Sequence, residues 1–299
     1  MNFPFIKYTK VYYIISGILI VASLLSLFLY GVKFGIEFTG GSIIEVDFSG
    51  SRPTNDQISK ALSDLNLGEV IIQPTGQIGV ILRMKEIDEA THQKIASKLN
   101  ELSKMEEKRF DLIGPSIGDE LKKKTNTAVV LTLLAITLYI AFAFRGVSRP
   151  VSSWKYGIAS LIALIHDVII PLGVFSILGK FYNIEITVPI VAALLTILGF
   201  SVHDTIVIFD RIRENILRRG GHSFEETVDW SLNQTFWRSI STVLTVLFVL
   251  LAIFFFGGET LKYFALALII GITSGAYSSI FIASPLLITW HKHDHNNKA

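Results

Sequence analysis

Six long stretches, almost free of charged residues, constrain this chain more than any other feature of its sequence. A helix needs about 20 mostly apolar residues to cross the roughly 30 Å hydrocarbon core of a bilayer. The stretches cover residues 11–32, 125–144, 156–178, 186–209, 239–258 and 263–290. Only 17% of the residues are charged, against roughly 25% in soluble domains. The sequence therefore predicts a polytopic α-helical membrane protein with six transmembrane helices.

Composition also excludes several functional classes. The formal net charge is only +2, which argues against a nucleic-acid partner because such binding depends on neutralising many phosphates. The chain has no cysteine, so it has no disulfide, no thiolate nucleophile and no cysteine metal ligand. It also lacks the Gly-x-x-x-x-Gly-Lys-Ser/Thr loop, so we do not expect ATP to be its direct energy source.

Residues 34–124 break the apolar pattern and are predicted to form a water-soluble domain outside the membrane. A capping box at residues 54–57 opens one helix, and Asp88 caps a second one with Ile95, Leu99 and Leu102 on one face. The predicted strands cover residues 42–48, 70–72, 79–82 and 110–113, with a turn at residues 74–76. This order of strands and helices predicts a small α+β domain of ferredoxin-like arrangement.

The distribution of Lys and Arg predicts the orientation of the chain in the membrane. Placing both termini in the cytoplasm puts twelve Lys and Arg residues in or next to inner segments: Lys7, Lys10, Arg145, Arg149, Lys155, Arg211, Arg213, Arg218, Arg219, Arg238, Lys292 and Lys298. Outside the body of the soluble domain, the outer segments next to the spans then hold six: Lys33, Lys122, Lys123, Lys124, Lys180 and Lys262. The positive-inside rule favours this orientation.

These predictions divide the chain into four parts. Residues 1–33 are an inner N-terminus with the first span, and residues 34–124 are the extracytoplasmic domain. Residues 125–290 hold the other five spans, and residues 291–299 are a cytoplasmic tail.

Two acidic residues lie inside predicted spans, and each follows a histidine. Asp167 follows His166 in the third span, and Asp204 follows His203 in the fourth. A charged residue at mid-helix costs about 2.5 to 3.5 kcal/mol on insertion scales, so both are candidate functional residues.

Polar residues also accompany Asp204 and the start of the fifth span. Ser201 and Thr205 lie within one helical turn of Asp204. Around Arg238, a polar stripe runs along the fifth span through Gln234, Thr235, Ser241, Thr242 and Thr245. Both Asp204 and Arg238 lie near the inner ends of their spans, so the sequence allows them to pair.

Two interpretations of this pair remain open. It can lock two helices together, or it can act as a proton switch. Burial raises the pKa of a carboxyl group and a nearby guanidinium lowers it, so a change in their separation would change proton affinity.

The His-Asp dipeptides do not predict a metal site, because adjacent helical residues point about 100° apart. We expect His166 and His203 to be packing groups with hydrogen bonds, or auxiliary proton carriers. The polar tail from His291 to His295 is expected to fray. Small residues at every fourth position of the sixth span predict close helix contact, within the chain or with a partner: Gly271, Gly275, Ser279 and Ala283.

Three segments resemble the SecD/SecF family, the accessory membrane subunits of the bacterial Sec translocase. Residues 34–41 (FGIEFTGG) resemble a signature shared by both branches, and residues 201–215 (SVHDTIVIFDRIREN) resemble the fourth-span motif of the SecF branch. Residues 232–242 (LNQTFWRSIST) are similar to the SecF segment that follows. The short outer domain suits the SecF branch better than SecD, and the likeness covers nearly the whole chain.

The resemblance implies a proton-driven motor of the resistance-nodulation-division type. Asp204 matches the family's intramembrane Asp and Arg238 matches its Arg partner, whereas His203 stands where the family usually has Asn. Asp167 lies in the matching third-span segment and is assigned a supporting role with His166, Ser201, Thr205, Gln234 and Thr242. The implied partners are a SecD-like subunit, a SecYEG-type channel, a translocating preprotein and the lipid bilayer of the bacterial inner membrane. Protons are the coupling ion, and no cofactor, metal or enzymatic activity is expected.

Other functions stay open at this point. Half of a proton-coupled small-molecule or lipid exporter is the main alternative, although an outer domain of about 90 residues leaves little room for an enclosed pocket. An intramembrane hydrolase lacks a Gly-x-Ser-x-Gly motif. A passive scaffold would use Asp204 and Arg238 only to hold helices together.

Overall fold

The computed structural model describes residues 3–145, 151–218 and 222–296, without the side chains of residues 259, 260, 295 and 296. The chain forms two compact units, one of residues 1–33 with 127–299 and one of residues 34–126. Arg149, Arg219 and Lys298, which entered the orientation prediction, lie outside the described residues.

The secondary structure is mostly helical, with four strands confined to the unit of residues 34–126. In chain order the elements are α1 (Thr9–Tyr30), α2 (Ile36–Thr39), β1 (Gly41–Phe48), α3 (Asn55–Leu62), β2 (Ile71–Thr75), β3 (Gly79–Met84), α4 (Glu89–Leu102), β4 (Met105–Ile113), α5 (Pro115–Ala143), α6 (Ser153–Tyr182), α7 (Val188–Arg218), α8 (Phe224–Phe256), α9 (Glu259–Ser278) and α10 (Ser284–Asn296). Single 3-10 turns cover Ile6–Tyr8 and Ser63–Leu65, and a π-helical segment, Ser279–Ala283, joins α9 to α10.

Among the described residues, six helical stretches are long and apolar enough to cross a membrane, which confirms the predicted spans. Several helices extend beyond the apolar stretch. The helix α8 begins at Phe224, well before the apolar stretch at residue 239, because Ser223 and Glu226 form a capping box there. Apolar runs mark the part of a helix within the hydrocarbon, whereas backbone hydrogen bonds and caps decide where the helix ends.

The unit of residues 34–126, called the outer unit after its predicted location, contains an antiparallel sheet in the order β2-β3-β1-β4. Its strands and helices follow the βαββαβ order of the predicted ferredoxin-like arrangement. Side chains of β1 and β3 pack on α3 and α4 in one core, as in the contact of Ile44 and Leu82 with Ile58 and Ile95.

Local signals in this unit were mostly sufficient to place its helices. Thr54 and Gln57 form the predicted capping box, and Asp88 accepts a hydrogen bond from the Thr91 amide at 2.9 Å. The predicted turn at residues 74–76 was wrong by two residues, since Pro74 lies within β2 and the turn follows at residues 76–78. An edge strand tolerates proline because the missing amide need not join the ladder.

Two further predictions in this unit need correction. The strand predicted at residues 110–113 begins at Met105, because its polar first half lies at the sheet edge where alternation is weak. Leu102 is 39% exposed, unlike Ile95 and Leu99, because it lies in the last turn of α4, past the core.

The glycines of the 34–41 segment enclose the short helix α2 rather than a simple turn. Gly40 and Gly41 have φ of 76° and 143°, backbone conformations that are strained for residues with a side chain. A Cβ on Gly40 would lie 2.9 Å from the Pro115 backbone, and one on Gly41 would lie 2.6 Å from the Met84 carbonyl oxygen. Only glycine fits both positions.

In the helical unit, α6 is enclosed by α1, α7 and α9. The approach of α1 is close: a Cβ on Gly173 would lie 2.4 Å from that of Ser23. Ser26 donates to the Gly173 carbonyl, and Ser176 donates to the Ser26 carbonyl, at 3.0 and 2.9 Å. This packing removes the middle of α6 from lipid and makes it the place where polar groups can be buried.

Candidate functional site

Two carboxyl groups lie inside the helical unit, one on α6 and one on α7. Asp167 is fully buried and Asp204 is 7% exposed. A buried carboxyl group is costly unless hydrogen bonds or charges compensate it, so the partners of each group determine what it can do.

Among the described residues, Asp204 has one hydrogen-bond partner. Ser239 on α8 donates to Asp204 Oδ1 at 2.6 Å. The other oxygen, Oδ2, is buried and has no hydrogen-bond partner within the described part of the chain. Half of this carboxyl group is therefore free to bind a proton.

Arg238, the predicted partner of Asp204, lies next to Ser239 but points elsewhere. Among the described residues the two form no ion pair within 4.0 Å, although the Arg238 charge acts on Asp204 through space. Arg238 is exposed and lines an open groove of about 490 Å³ that also includes Asp210 and Gln234. The structure thus shows the two groups on neighbouring helices but separated.

A polar network connects α7 and α8 at this groove. Gln234 accepts from Arg211 Nε at 2.5 Å and from Asn215 at 2.9 Å. Asn215 also donates to Ser231 at 2.8 Å, and Arg211 pairs with Glu214. Gln234 therefore ties α8 to α7 below the Asp204 site rather than contacting Asp204.

Asp167 has four polar contacts, in contrast to Asp204. Ser201 on α7 and Ser278 on α9 donate to Oδ2 at 2.6 and 2.7 Å. Oδ1 is contacted by Ser274 at 3.1 Å and by Nδ1 of the adjacent His166 at 2.9 Å. The residue to which the sequence assigned a supporting role is the centre of a polar cluster contributed by three helices.

Ser201 and Thr205 connect this cluster to the rest of α7. The hydroxyl group of Ser201 is bonded to Asp167, not to Asp204, although the sequence places Ser201 and Asp204 on one face. Thr205 lies 2.8 Å from Ser279 on the π-helical segment and donates to the Ser201 carbonyl. One turn of α7 thus contacts α6 and the π-helical segment.

Besides Gln234, two more residues of the predicted polar network do not contact Asp167 or Asp204. The side chain of His203 is exposed because it points about 100° away from that of Asp204. Thr242 is also exposed and donates to the Arg238 carbonyl at 2.9 Å. The stripe residues Ser241 and Thr245 are exposed as well, so most of the stripe faces outward.

The sequence prediction missed the three serines that complete these sites. Ser239 follows Arg238 directly, and Ser274 and Ser278 lie four residues apart in the last span. The spacing of Ser274 and Ser278 places both on one helix face, which was a usable signal. Serine is common in membrane helices, however, and the prediction considered only the stripe of small residues one position away.

The stripe of small residues packs within the chain, against α7. A Cβ on Gly271 would lie 2.1 Å from Cδ1 of Ile197, and one on Gly275 would lie 2.9 Å from the Cβ of Ser201. Ser279 and Ala283, in the π-helical segment, are fully buried. This face therefore brings Ser274 and Ser278 close to α6 and α7.

The tail is helical to Asn296 instead of fraying at residue 291. Asp294 accepts from the buried Lys155 at 2.5 Å, and Lys292 pairs with Glu225 at 3.0 Å. These contacts supply the tertiary support that a short polar helix lacks on its own. In the described part of the chain, no three His, Asp or Glu residues come close enough to hold a metal ion.

Two family models match the chain. One, described as "Protein export membrane protein SecD/SecF, C-terminal", matches residues 93–293. The other, "SecD/SecF GG Motif", matches residues 25–51 and includes the two glycines described above.

Curated relatives and solved structures agree with the family models. The chain is 44% identical to protein translocase subunit SecF of Thermobaculum terrenum, over 97% of this chain and 94% of that protein. It is 37% identical to protein translocase subunit SecF of Vibrio alginolyticus, over 95% of this chain and 88% of that protein. It is similar to the crystal structure of SecDF, a translocon-associated membrane protein from Thermus thermophilus, with a TM-score of 0.87 and 31% identity over 98% of this chain. It is also similar to a crystal structure of SecDF in a super-membrane-facing form, with a TM-score of 0.71 and 31% identity over 100% of this chain. The chain spans about two fifths of those solved chains, 39% and 40%.

Proposed function

The chain belongs to the SecD/SecF family of protein-export membrane proteins, and we propose that it uses proton flow to drive movement during preprotein export. Relatives named as translocase subunit SecF match it over nearly their full length. It is thus a Sec translocase accessory subunit and a multi-pass bacterial membrane protein. Its proton coupling and its individual partners are the parts that we propose.

The similarity to the solved SecDF chains supports the proposed partners. The solved SecDF chains are more than twice as long as this chain, which supports a SecD-like subunit that supplies the remaining spans. The description of SecDF as translocon-associated supports contact with a SecYEG-type channel and with the preprotein emerging from it. The outer unit, residues 34–126, is then the part available to the preprotein.

The geometry of Asp204 and Arg238 is the observation that carries the proton step. Asp204 Oδ2 is buried without a partner, and the nearest predicted cation, Arg238, is exposed in the groove instead of paired with it. In this arrangement a proton taken up at Oδ2 neutralises a buried charge. A helix movement that brings the guanidinium to the carboxylate would favour release of the proton.

This cycle has enough energy to move helices. One elementary charge crossing the membrane yields about 2.3 kcal/mol per 100 mV. A conformational change that depends on the Asp204 proton would therefore be driven by the proton motive force, after the stage that ATP drives.

The test compares carboxyl groups on the same helix in a reconstituted complex. Proteoliposomes would hold the chain, its SecD-like partner and the channel, with a preprotein stalled after the ATP-driven stage. We expect Asp204→Asn and Arg238→Met to abolish the acceleration of preprotein release by a proton gradient. Asp210→Asn is the matched control, because Asp210 is exposed on the same helix and makes only a 3.8 Å contact with Arg213.

Each outcome of this test separates the candidate functions. Full gradient dependence in Asp204→Asn or Arg238→Met, with normal assembly, would contradict the proton step and leave a scaffold. Gradient-driven movement of a dye or lipid in the absence of preprotein would favour the exporter.

We also propose that both termini lie in the cytoplasm, on the basis of the Lys and Arg distribution. Since the chain has no cysteine, single substitutions report the side directly. Lys7→Cys is expected to react with a membrane-impermeant thiol reagent only in inverted vesicles, and Lys60→Cys only in right-side-out ones. The reverse pattern would contradict this orientation.

A further inference from the structure

The cluster around Asp167 contains a group that the proposed function does not use. His166 is 1% exposed, and its Nε2 has no hydrogen-bond partner in the described part of the chain. Its other ring nitrogen, Nδ1, lies 2.9 Å from Asp167 Oδ1. A buried imidazole with one nitrogen fixed and the other unpartnered is unusual, because buried polar atoms are nearly always paired.

A count of donors around Asp167 fixes where a proton can reside. An ionised carboxylate only accepts hydrogen bonds and has about four acceptor positions. The three serine hydroxyl groups and His166 Nδ1 make four contacts with the Asp167 oxygens. All four can donate to the carboxylate, and Ser274 Oγ also lies 3.3 Å from the same Nδ1. These contacts leave Nε2 as the atom of the cluster that has no hydrogen-bond partner among the described residues.

The same contacts define the state of His166. If Nδ1–H donates to Asp167, the ring is either neutral with a bare Nε2 or positively charged with Nε2–H. These two states differ only at Nε2. The ring of Tyr277 lies beside the imidazole at a centroid distance of 6.1 Å and an angle of 21°, which keeps the ring in place.

We propose that His166 Nε2 is a second proton-exchange atom of this chain and that Asp167 is the fixed counter-charge that positions the ring. Uptake forms an N–H bond at Nε2 as one O–H bond of a hydronium ion breaks and leaves water. The His-Asp pair then changes from one negative charge to none. Release reverses this step when water reaches Nε2.

The arrangement connects this atom to α7. Ser201 donates to Asp167, and Asp204 lies three residues further along the same helix. A movement of α7 that brings Arg238 towards Asp204 would also strain the contact between Ser201 and Asp167. This link, unlike proton exchange at Nε2, rests on the proposed function.

Other ionisable groups on the surrounding helices are few or distant. On α9 the facing group is Tyr277, whose hydroxyl donates to the Tyr12 carbonyl of α1 at 3.1 Å. On α7 it is Asp204. On α10 it is Asp294, which is bound to Lys155 near the start of α6, three turns before His166.

The test reads the two ring nitrogens directly. The chain would be labelled with ¹⁵N-histidine, assembled with its SecD-like partner in nanodiscs, and followed by NMR over a pH series, with His166→Gln assigning the signal. We expect Nδ1 to stay protonated throughout and Nε2 to gain a proton as the pH falls. Replacing Asp167 with Asn should move that transition to lower pH by about one unit or more, since an opposite charge at this distance shifts a titration by 1–3 units.

Controls keep this inference separate from the proposed function. His203→Gln should leave the His166 signals unchanged, because His203 is an exposed histidine in the same dipeptide context. An Nε2 that keeps one state at all pH values, or a Nδ1 that loses its proton, would overturn the inference even if Asp167→Asn fails to fold. Asp204→Asn should leave the Nε2 transition in place. Loss of gradient-dependent release in Asp204→Asn alongside a silent Nε2 would therefore refute only this inference.

Discussion

Asp167 and Asp204 have nearly the same local sequence but opposite surroundings. Each follows a histidine on a membrane helix, and the two helices are consecutive in the chain. Within the part of the chain that the structure describes, Asp167 has four polar contacts, whereas Asp204 has one and an unpartnered oxygen. The comparison teaches that serines on other helices, not the dipeptide, decide whether a buried carboxylate is fixed or free to change its protonation state.

The largest expected effect is the loss of folding stability when Asp167, rather than Asp204, is replaced. Asp167→Asn places an NH₂ group against hydroxyl groups that already donate, and breaks the pair with His166. We expect it to lower the free energy of unfolding by about 3–5 kcal/mol, whereas Asp204→Asn should change it by about 1 kcal/mol or less. Reversible unfolding in mixed detergent micelles measures both. Equal losses would show that the two sites are equally fixed.

Gly275 gives a way to disturb the Asp167 site without touching a polar group. Its added Cβ in Gly275→Ala would lie 2.9 Å from the Cβ and 3.2 Å from the Oγ of Ser201. We expect a loss of about 1–3 kcal/mol from overpacking, with altered His166 NMR signals. Gly199→Ala is the control, since no atom lies within 4 Å of its added Cβ. Unchanged His166 signals in Gly275→Ala would mean that Ser201 does not position the cluster.

Replacing Ser239 measures how much the hydrogen bond to Asp204 contributes to stability. Ser239→Ala leaves both carboxyl oxygens without a hydrogen bond and is expected to cost about 1 kcal/mol. The exposed Ser241 on the same helix provides Ser241→Ala as a control without effect. A loss several times larger, measured by the same unfolding experiment, would indicate that Asp204 is as firmly held as Asp167.

The smallest expected effect on stability comes from an exposed carboxyl group in the outer unit, which serves as a reference for the two buried ones. Lys98 donates to Asp64 at 2.5 and 2.6 Å and holds the pKa of that carboxyl below its usual value. A lowered pKa adds stability above the ordinary carboxyl pKa, and this stability is lost as the pH falls through the lowered value. We expect Asp64→Asn to reduce the melting temperature slightly at neutral pH, and the difference to disappear in acid, once the pH falls below the lowered pKa of Asp64. A difference that persists in acid would mean that packing, not charge, is responsible.

The sequence predicted the spans and the outer fold because both depend on repeating local patterns. Long apolar runs identify spans, and the cap residues Thr54 and Asp88 each position the start of one helix. The failures have a different origin. Pro74 within an edge strand and the early start of α8 depend on hydrogen bonds that no apolar pattern records.

The site was only partly predictable for a related reason. Asp167, Asp204 and Arg238 were identified because charge inside a span is rare. Ser239, Ser274 and Ser278 were not, because each of them matters through its contact with a carboxyl group on another helix. Nothing within a single helix distinguishes a serine that meets a carboxylate from one that bonds to its own backbone.

The π-helical segment between α9 and α10 sets the relative phase of the two halves of the last span. A π turn holds one more residue than an α turn, and here Ser284 reaches back to the Ser279 carbonyl at 3.0 Å. Deleting Ile280 would convert this segment to a regular helix and rotate everything before it by about 100° relative to everything after it. The serines that bond to Asp167 would then no longer face it, while the contact of Asp294 with Lys155 stayed in register. A working protein therefore requires the length of this segment to stay the same.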